Sequence, residues 1–427
     1  MKPTKKRFVL LPLLLAAILC VLCLPSCGGT QERRYGSYRY IVENGEVTIT
    51  EYTGVAADVT IPDTIKGMPV VAIGGIGMDA FYGCSSLQSV TIPDSVEEIG
   101  FAAFDSCISL ENVTLGKGIR VIDAYAFDEC PKLNYTSYEN GYYLGNADNP
   151  YLALVFMAAH AKEAVFHPDT RIICGIALED CSYISDLVIP EGVISMGGYA
   201  LPRLKTLSIP ASMEYIDPLA LEYCRVPSEI TVAEGNPNYK SVDGSLFSQD
   251  GTRLIKYACG KEAESYTVPE GTVVIEHDAF AYAGHLTEVT LPDSVEELCD
   301  AAFINCESLR IIRFGKGLKT IGSQAFGFCM ALTEITIPDS VVVVDHFAFC
   351  YCDNLKRVVI GSGVTRLGDE VFWACDALTE VVFTDSEGWK VNAMYSLRST
   401  SVDVSDPEQA AEYLTGEYCD YYWKKGK

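Results

Sequence analysis

The chain is expected to fold as a repeat solenoid, a stack of short coils sharing one continuous core. Three observations predict it: an aromatic anchor returns at a fixed interval, apolar residues within each interval mix helical and strand spacings, and similar turn residues close successive intervals. The anchors are Phe81, Phe104 and Phe127, then Phe280, Phe303, Phe326, Phe349 and Phe372, and within each run neighbours stand 23 residues apart. A fixed period of this size marks stacked units, none of which can bury its apolar stripe alone. Leu178, Leu201 and Leu221 are degenerate anchors between the runs, giving eleven in all. An incomplete opening copy lies around Val55 to Ile73.

In the copy at Phe104 the apolar positions are Phe104, Cys107, Leu110, Val113, Leu115, Ile119 and Ile122. Steps of three and four put side chains on one face of a helical turn, and the step of two at Val113 to Leu115 is the strand period. Each coil therefore reads as a short helical or turn segment, a brief strand and a turn back. Short parallel strands form one face of the stack, and the helical or turn segments form the other. The return turn is Ile-Pro-Asp-Ser at Ile92 and Ile337 and Leu-Pro-Asp-Ser at Leu291. Elsewhere it is Gly-Lys-Gly (Gly116, Gly315) or Gly-Ser-Gly (Gly361), residues that suit strand ends and tight turns. With strands about 4.8 Å apart, eleven coils would span about 50 Å.

Cysteine follows the same beat. Cys84, Cys107, Cys130, Cys181, Cys224, Cys306, Cys329, Cys352 and Cys375 each stand three residues after an anchor, and Ala283 fills that slot once. Free cysteine behaves as a small buried hydrophobe, so a packing ladder in the core is expected. A zinc site needs ligands paired at CxxC-like spacing; after Cys27, Cys350 and Cys352 are the only close pair. Cys174, Cys259, Cys299 and Cys419 lie off the ladder, and their pairing is left open.

Residues 1–26 read as a secretory leader: Lys2, Lys5, Lys6 and Arg7 precede an apolar stretch from Phe8 to Leu24. Leu24-Pro25-Ser26-Cys27 resembles the bacterial lipobox, which implies acylation of Cys27 as the first mature residue. No other segment is apolar and long enough to span a bilayer. The chain carries 32 basic and 57 acidic residues, a formal charge of −25, and losing the basic leader makes the remainder more acidic. Such a surface repels nucleic acid and anionic lipid.

Residues 27–37 read as a tether. Tyr38 to Thr50 alternates apolar residues around Asn44-Gly45, a hairpin signal, and would cap the open end of the solenoid at 38–383. Two inserts interrupt the period, at about 134–177 and 238–279. They open "NYTSYENGYYLG" and "NYKSVDGSLFS", again hairpin-like, and are either projecting binding loops or irregular coils. After the strand Val381 to Phe383 the pattern stops. Residues 384–427 form a C-terminal cap whose short helix starts at Asp406-Pro407, an N-cap followed by an N1 proline.

No catalytic constellation is legible. Of the five histidines, His160, His167, His277, His285 and His346, His277 and His346 share a slot but stand three coils apart, about 14 Å, too far to share a metal. No HExxH, nucleophile elbow or phosphate loop occurs, and no cofactor is implied. The pairs Glu97-Glu98 and Glu296-Glu297 read as solvated charge. The outward strand positions offer a mixed polar surface for a macromolecular ligand: Ser89, Thr91, Asn112, Thr114, Glu288, Thr290, Arg313, Glu334, Thr336 and Arg357.

The unit "AFYGCSSLQSVTIPDSVEEIG" (Ala80 to Gly100) and the opening "GEVTITEYTGVAADVTIPDTIKGMPVVAIG" (Gly45 to Gly74) resemble the BspA-like, or Treponema-pallidum-type, leucine-rich repeats over about Tyr38 to Phe383. That resemblance implies a leucine-rich-repeat solenoid on a bacterial surface or secreted protein. It implies adhesion to host matrix proteins, cells or other bacteria, with no enzyme activity and no catalytic residues to carry over. The expected function is protein binding by a lipid-anchored, outer-membrane, surface-exposed protein. The alternatives are a glycan-capturing accessory lipoprotein and a periplasmic scaffold.

Overall fold

The computed structural model of the chain describes residues 31–75, 77–222, 224, 227–393 and 398–426. The leader, the lipobox with Cys27, and the start of the tether lie outside the described residues. The chain divides into two compact units. One comprises residues up to Ile119 together with Tyr125–Leu133, and the other Arg120–Ala124 and Asn134–Lys427. Each is a solenoid of the expected kind, with parallel strands joined in register one coil apart.

Each coil carries two strands rather than one. The strand read from the sequence forms three-stranded parallel sheets, such as Asp58–Thr60, Ser89–Thr91 and Asn112–Thr114 in the smaller unit. A second, two-residue strand follows the return turn. In the larger unit Val274–Ile275, Glu297–Leu298, Thr320–Ile321, Val343–Val344 and Arg366–Leu367 form one parallel ladder, with Ile275, Leu298, Ile321, Val344 and Leu367 in a fully buried column.

The anchor segments are turns, not helices. Backbone φ is positive two residues before and two after the anchor, at Ala102 and Ser106, Gln324 and Phe328, or Phe347 and Tyr351. A left-handed residue every fourth position breaks the i to i−4 pattern, which is why spacings of three and four did not produce a helix. The freed amides bond across the stack instead: Phe81 N donates to Ala103 O at 2.7 Å, Phe303 N to Ala325 O at 2.7 Å and Phe326 N to Ala348 O at 2.7 Å. Phe81, Phe104, Phe280, Phe303, Phe326 and Phe349 are thus held to the next coil by backbone as well as by ring.

The two turn motifs are mates. Asp94 Oδ1 accepts from Lys117 N at 2.8 Å, Asp293 Oδ1 from Lys316 N at 2.9 Å and Asp339 Oδ1 from Ser362 N at 2.7 Å. A Cβ on Gly116, Gly315 or Gly361 would lie within 2.5 Å of the carbonyl oxygen of Pro93, Pro292 or Pro338. A Gly-x-Gly turn therefore seats on the Pro-Asp turn of the preceding coil, and only glycine permits the approach.

Three antiparallel meanders punctuate the coils. Tyr38–Glu43 and Glu46–Tyr52 join through Asn44-Gly45, with φ of 51° and 86°, and Tyr239–Val242 and Ser245–Ser248 through Asp243-Gly244, with φ of 48° and 67°. In the remaining hairpin, Tyr138 pairs with Gly141, so the turn is Glu139-Asn140 and the glycine lies in the strand. The last strand of each meander starts a parallel ladder: Glu46–Tyr52 pairs Met68–Ile73, Ala153–Met157 pairs Ile172–Ile173, and Arg253–Lys256 pairs Val274–Ile275. Along Ser245–Ser248, Leu246 packs into the core of the preceding coils and Phe247 into that of the following ones. This second insert is a joint buried on both faces, not a projecting loop.

The C-terminal cap closes both ladders of the larger unit. Tyr421–Lys425 pairs antiparallel with Arg366–Leu367, and the helix Pro407–Glu412 packs on Glu380–Phe383. Asp406 caps that helix, accepting from Glu408 N at 2.9 Å and Gln409 N at 3.2 Å.

Candidate functional site

The expected binding residues fall into three patches on separate sheets. In the smaller unit Asp58, Ser89 and Asn112 form one outward column and Thr60, Thr91 and Thr114 the next; Ser89 Oγ donates to Asp58 Oδ1 at 2.5 Å. In the larger unit Ser265, Glu288 and Ile311 align beside Thr267, Thr290 and Arg313. Arg313 Nε donates diagonally to Glu288 Oε1 at 2.7 Å. On the following sheet Glu334, Arg357 and Glu380 align beside Thr336, Val359 and Val382, and Arg357 Nε donates to Glu380 Oε1 at 3.0 Å. The alternate residues Val90, Val289, Ile335 and Val358 are buried, so strand alternation presents the polar set to solvent.

Sequence reading missed a fourth patch, where Asp186, Thr206 and Glu229 align beside Val188, Ser208 and Thr231. Thr206 Oγ1 donates to Asp186 Oδ1 at 2.7 Å. Leucine anchors obscured the period there, although "LVIP" and "LSIP" retained the strand pattern.

The ladder thiols occupy the interior. Eight of the nine, from Cys107 to Cys375, are buried, and Cys84 is half-buried. They do more than fill space. Cys107 donates to Phe81 O at 3.2 Å, Cys130 to Phe104 O at 3.2 Å, Cys329 to Phe303 O at 3.3 Å and Cys375 to Phe349 O at 3.0 Å. Cys306 and Cys352 bond likewise to Phe280 O and Phe326 O, each at 3.2 Å, so six ladder thiols satisfy the carbonyl of the preceding coil's phenylalanine, whereas Cys181 donates to Ala158 O at 3.9 Å. At Ala283 no thiol is available for Tyr257 O, and Cys259 supplies it from its own coil at 3.2 Å. In this coil the bond to the anchor carbonyl comes from a cysteine two residues along the same chain segment rather than from the next coil. Tyr257 is itself an anchor, its ring stacked on Phe280 at 5.1 Å.

All described cysteines are free, those off the ladder included. Burial pushes the thiols of Cys306 and Cys329 well up and that of Cys181 to about 11, while a hydrogen bond with Cys375, and then burial, pushes that of Cys352 well up. A buried thiol held protonated is a poor nucleophile. Native protein treated with a thiol-specific disulfide reagent is expected to react slowly, at Cys84, Cys299 and Cys419, and at the buried ladder only after denaturation. Rapid native modification of Cys329, read by peptide mass mapping, would contradict this placement.

Among the described residues no group of three or more His, Cys, Asp or Glu side chains could hold a metal ion. No helix among them is long and apolar enough to cross a membrane. A cluster of titratable groups lies under the C-terminal cap. His346 Nδ1 bonds to the Asp369 carboxylate, Nε2 faces Asp345 Oδ1 at 3.1 Å, and the Tyr422 ring meets the imidazole edge-on at 5.2 Å. The Asp369 hydrogen bond raises the His346 pKa; burial and Arg366 oppose it, and the charges of Asp369 and Asp345 add to it. A raised folded-state pKa gives stability that is complete below the unfolded value, about 6.5, and lost as pH rises through the folded value. The melting temperature of wild type relative to His346→Gln should therefore fall as pH is raised through this window. A pH-independent difference would rule out the ion pair as its source.

A family model described as BspA type Leucine rich repeat region matches residues 58–146, 154–266 and 273–396, in 6 copies. Solved structures similar to the chain are bacterial repeat proteins. A leucine rich cell surface protein from Faecalibacterium prausnitzii is 26% identical over 85% of this chain and 97% of its own, with a TM-score of 0.46. A leucine-rich repeat protein from Eubacterium ventriosum is 20% identical over 82% of this chain and 83% of its own, with a TM-score of 0.51. The pneumococcal vaccine antigen PcpA is 21% identical over 83% and 87%, with a TM-score of 0.48. No curated protein matches the chain.

Proposed function

The chain belongs to the BspA-type leucine-rich-repeat family, and on that premise we propose that it is a non-catalytic binding scaffold of the bacterial envelope. A lipid on Cys27 anchors it to the outer membrane, and the outward face of its longer strands holds a macromolecular ligand at the cell surface. That ligand is a protein of the host matrix or of another bacterium. The observation carrying this reading is the register of the outward columns. They present hydroxyls, carboxylates and guanidinia at fixed spacing, with Arg313 and Arg357 already held by Glu288 and Glu380. Side chains pre-positioned on a rigid sheet lose little freedom on binding, and many modest polar contacts give specificity. The lipobox and the acidic composition fit an exported, soluble module tethered by its end.

Two measurements test the proposal. Protease treatment of intact cells should cleave within the repeats, and protection until the outer membrane is opened would place the protein on the inner side. The full chain, immobilised, should capture a protein saturably from mucosal extract, and a variant with Arg313, Glu334 and Arg357 charge-reversed should lose it. Equal capture by both would remove the strand face from the site.

A further inference from the structure

The turn face of the last coils carries a surface that the solenoid does not require. Phe328 and Tyr351 stand two residues after their anchors at φ of 60° and 54°, a conformation costly for bulky side chains. The same slot holds Ser106 and Asn305 in other coils, so folding accepts small polar residues there. The two rings stack at 4.5 Å. Trp373 lies against Tyr351 at 4.9 Å and 67° and against Phe347 at 6.0 Å and 79°. It is 41% exposed, whereas Trp389 and Trp423 in the cap are 2% and 1% exposed.

Charge on this face is one-sided. The anchor turns 278–286, 301–309, 324–332, 347–355 and 370–378 contain no lysine or arginine. The bases of the same coils, including Arg313, Lys319, Arg357 and Arg366, sit on or beside the two strand ladders. Asp353 and Asp376 stand four residues after successive anchors, both exposed and neither in an ion pair among the described residues. Their backbones are one coil, about 5 Å, apart. Burial, and then the charges of Asp369 and Asp420, push the Glu370 carboxyl up, with His346 opposing them. An aromatic face beside unpaired carboxylates matches a cation: the ring quadrupole and the carboxylates attract the same charge. Stacking over three coils exceeds what one ammonium group needs and suits successive side chains of an extended strand.

We propose that the aromatic face formed by Phe328, Phe347, Tyr351 and Trp373, flanked by Asp353 and Asp376, docks a polypeptide segment bearing two or more lysine or arginine side chains. This rests on the protein-binding reading and adds a second surface, on the anchor turns rather than the longer strands, with a stated partner chemistry.

The test uses the full chain in detergent at about 0.15 M salt, where long-range attraction is screened. A labelled short peptide alternating Arg and Ser, and its Glu counterpart, are titrated by fluorescence anisotropy. Saturable binding of the Arg peptide alone is expected, with Trp373→Ala and the pair Asp353→Asn/Asp376→Asn each weakening it about tenfold. The pair Glu296→Gln/Glu297→Gln removes the same charge from a solvated site outside the aromatic face and should change affinity less than twofold. Equal weakening by both pairs would reduce the effect to general attraction by an acidic protein and overturn the proposal. Binding of a neutral oligosaccharide at Trp373 in place of the Arg peptide would overturn it in favour of a carbohydrate site. Failure of extract capture with peptide binding intact would remove the strand-face reading alone; the converse would remove only this one.

Discussion

Replacing Phe326 by alanine is expected to lower the unfolding free energy by about 3–5 kcal/mol. The ring is fully buried between Phe303 at 5.1 Å and Phe349 at 5.2 Å, with interplanar angles of 2° on both sides. Truncation leaves a void that the neighbouring rings cannot fill, because backbone bonds from Phe303 N to Ala325 O and from Phe326 N to Ala348 O fix the coil spacing. Interfaces on both sides weaken together, as nearest-neighbour coupling in a solenoid requires. Phe326→Leu should cost less, about 1–2 kcal/mol, since leucine anchors coils at Leu178, Leu201 and Leu221. Urea denaturation followed by circular dichroism separates the two. An alanine variant within about 1 kcal/mol of wild type would mean that the rings do not form the core.

Trp423→Ala is the second large effect, about 3–5 kcal/mol, with a consequence that Phe326→Ala lacks. Trp423 is buried, its Nε1 donates to Tyr418 O at 3.1 Å, and it pairs with Leu367 at the end of the short-strand ladder. Loss of the indole loosens the strand Tyr421–Lys425 and uncovers the ladder edge, which then offers unpaired backbone to other molecules. Concentration-dependent association should accompany the fall in stability, detectable by light scattering well below the unfolding midpoint. Destabilisation without association would show that the edge is protected by something other than this strand.

The period, the longer strands and the terminal caps were legible because each depends on local spacing; the count of eleven anchors fell short, because Tyr257 fills an anchor slot that a search for Phe and Leu passes over. Phe104, Cys107 and Leu110 repeat whatever their partners are, and Asn44-Gly45 and Asp406-Pro407 announce their turn and cap through their own backbone preferences. The chemistry of the cysteine ladder was legible only in part. Burial could be read from Cys329 and its equivalents, but the thiol-to-carbonyl bond depends on a residue 26 positions away. The role of Cys259 depends on a vacancy at Ala283 in the next coil. The outward columns follow from strand alternation, yet the pairing of Arg313 with Glu288 is diagonal, and alternation alone does not give diagonals.

The sequence alone determined that this protein is a stack of equal coils, because a fixed period forces every copy to bury the same stripe against the next. Tertiary structure decided what the spacing left ambiguous. Steps of three and four suit either a helix or a bent turn, and the amides of Phe303 and Phe326 chose the turn by bonding to the next coil. The insert at Tyr239 to Lys256 likewise became a joint rather than a loop, because Leu246 and Phe247 found cores on opposite faces of one strand. Those choices depend on which neighbour is present when the chain closes, and that is a property of the stack, not of any single coil.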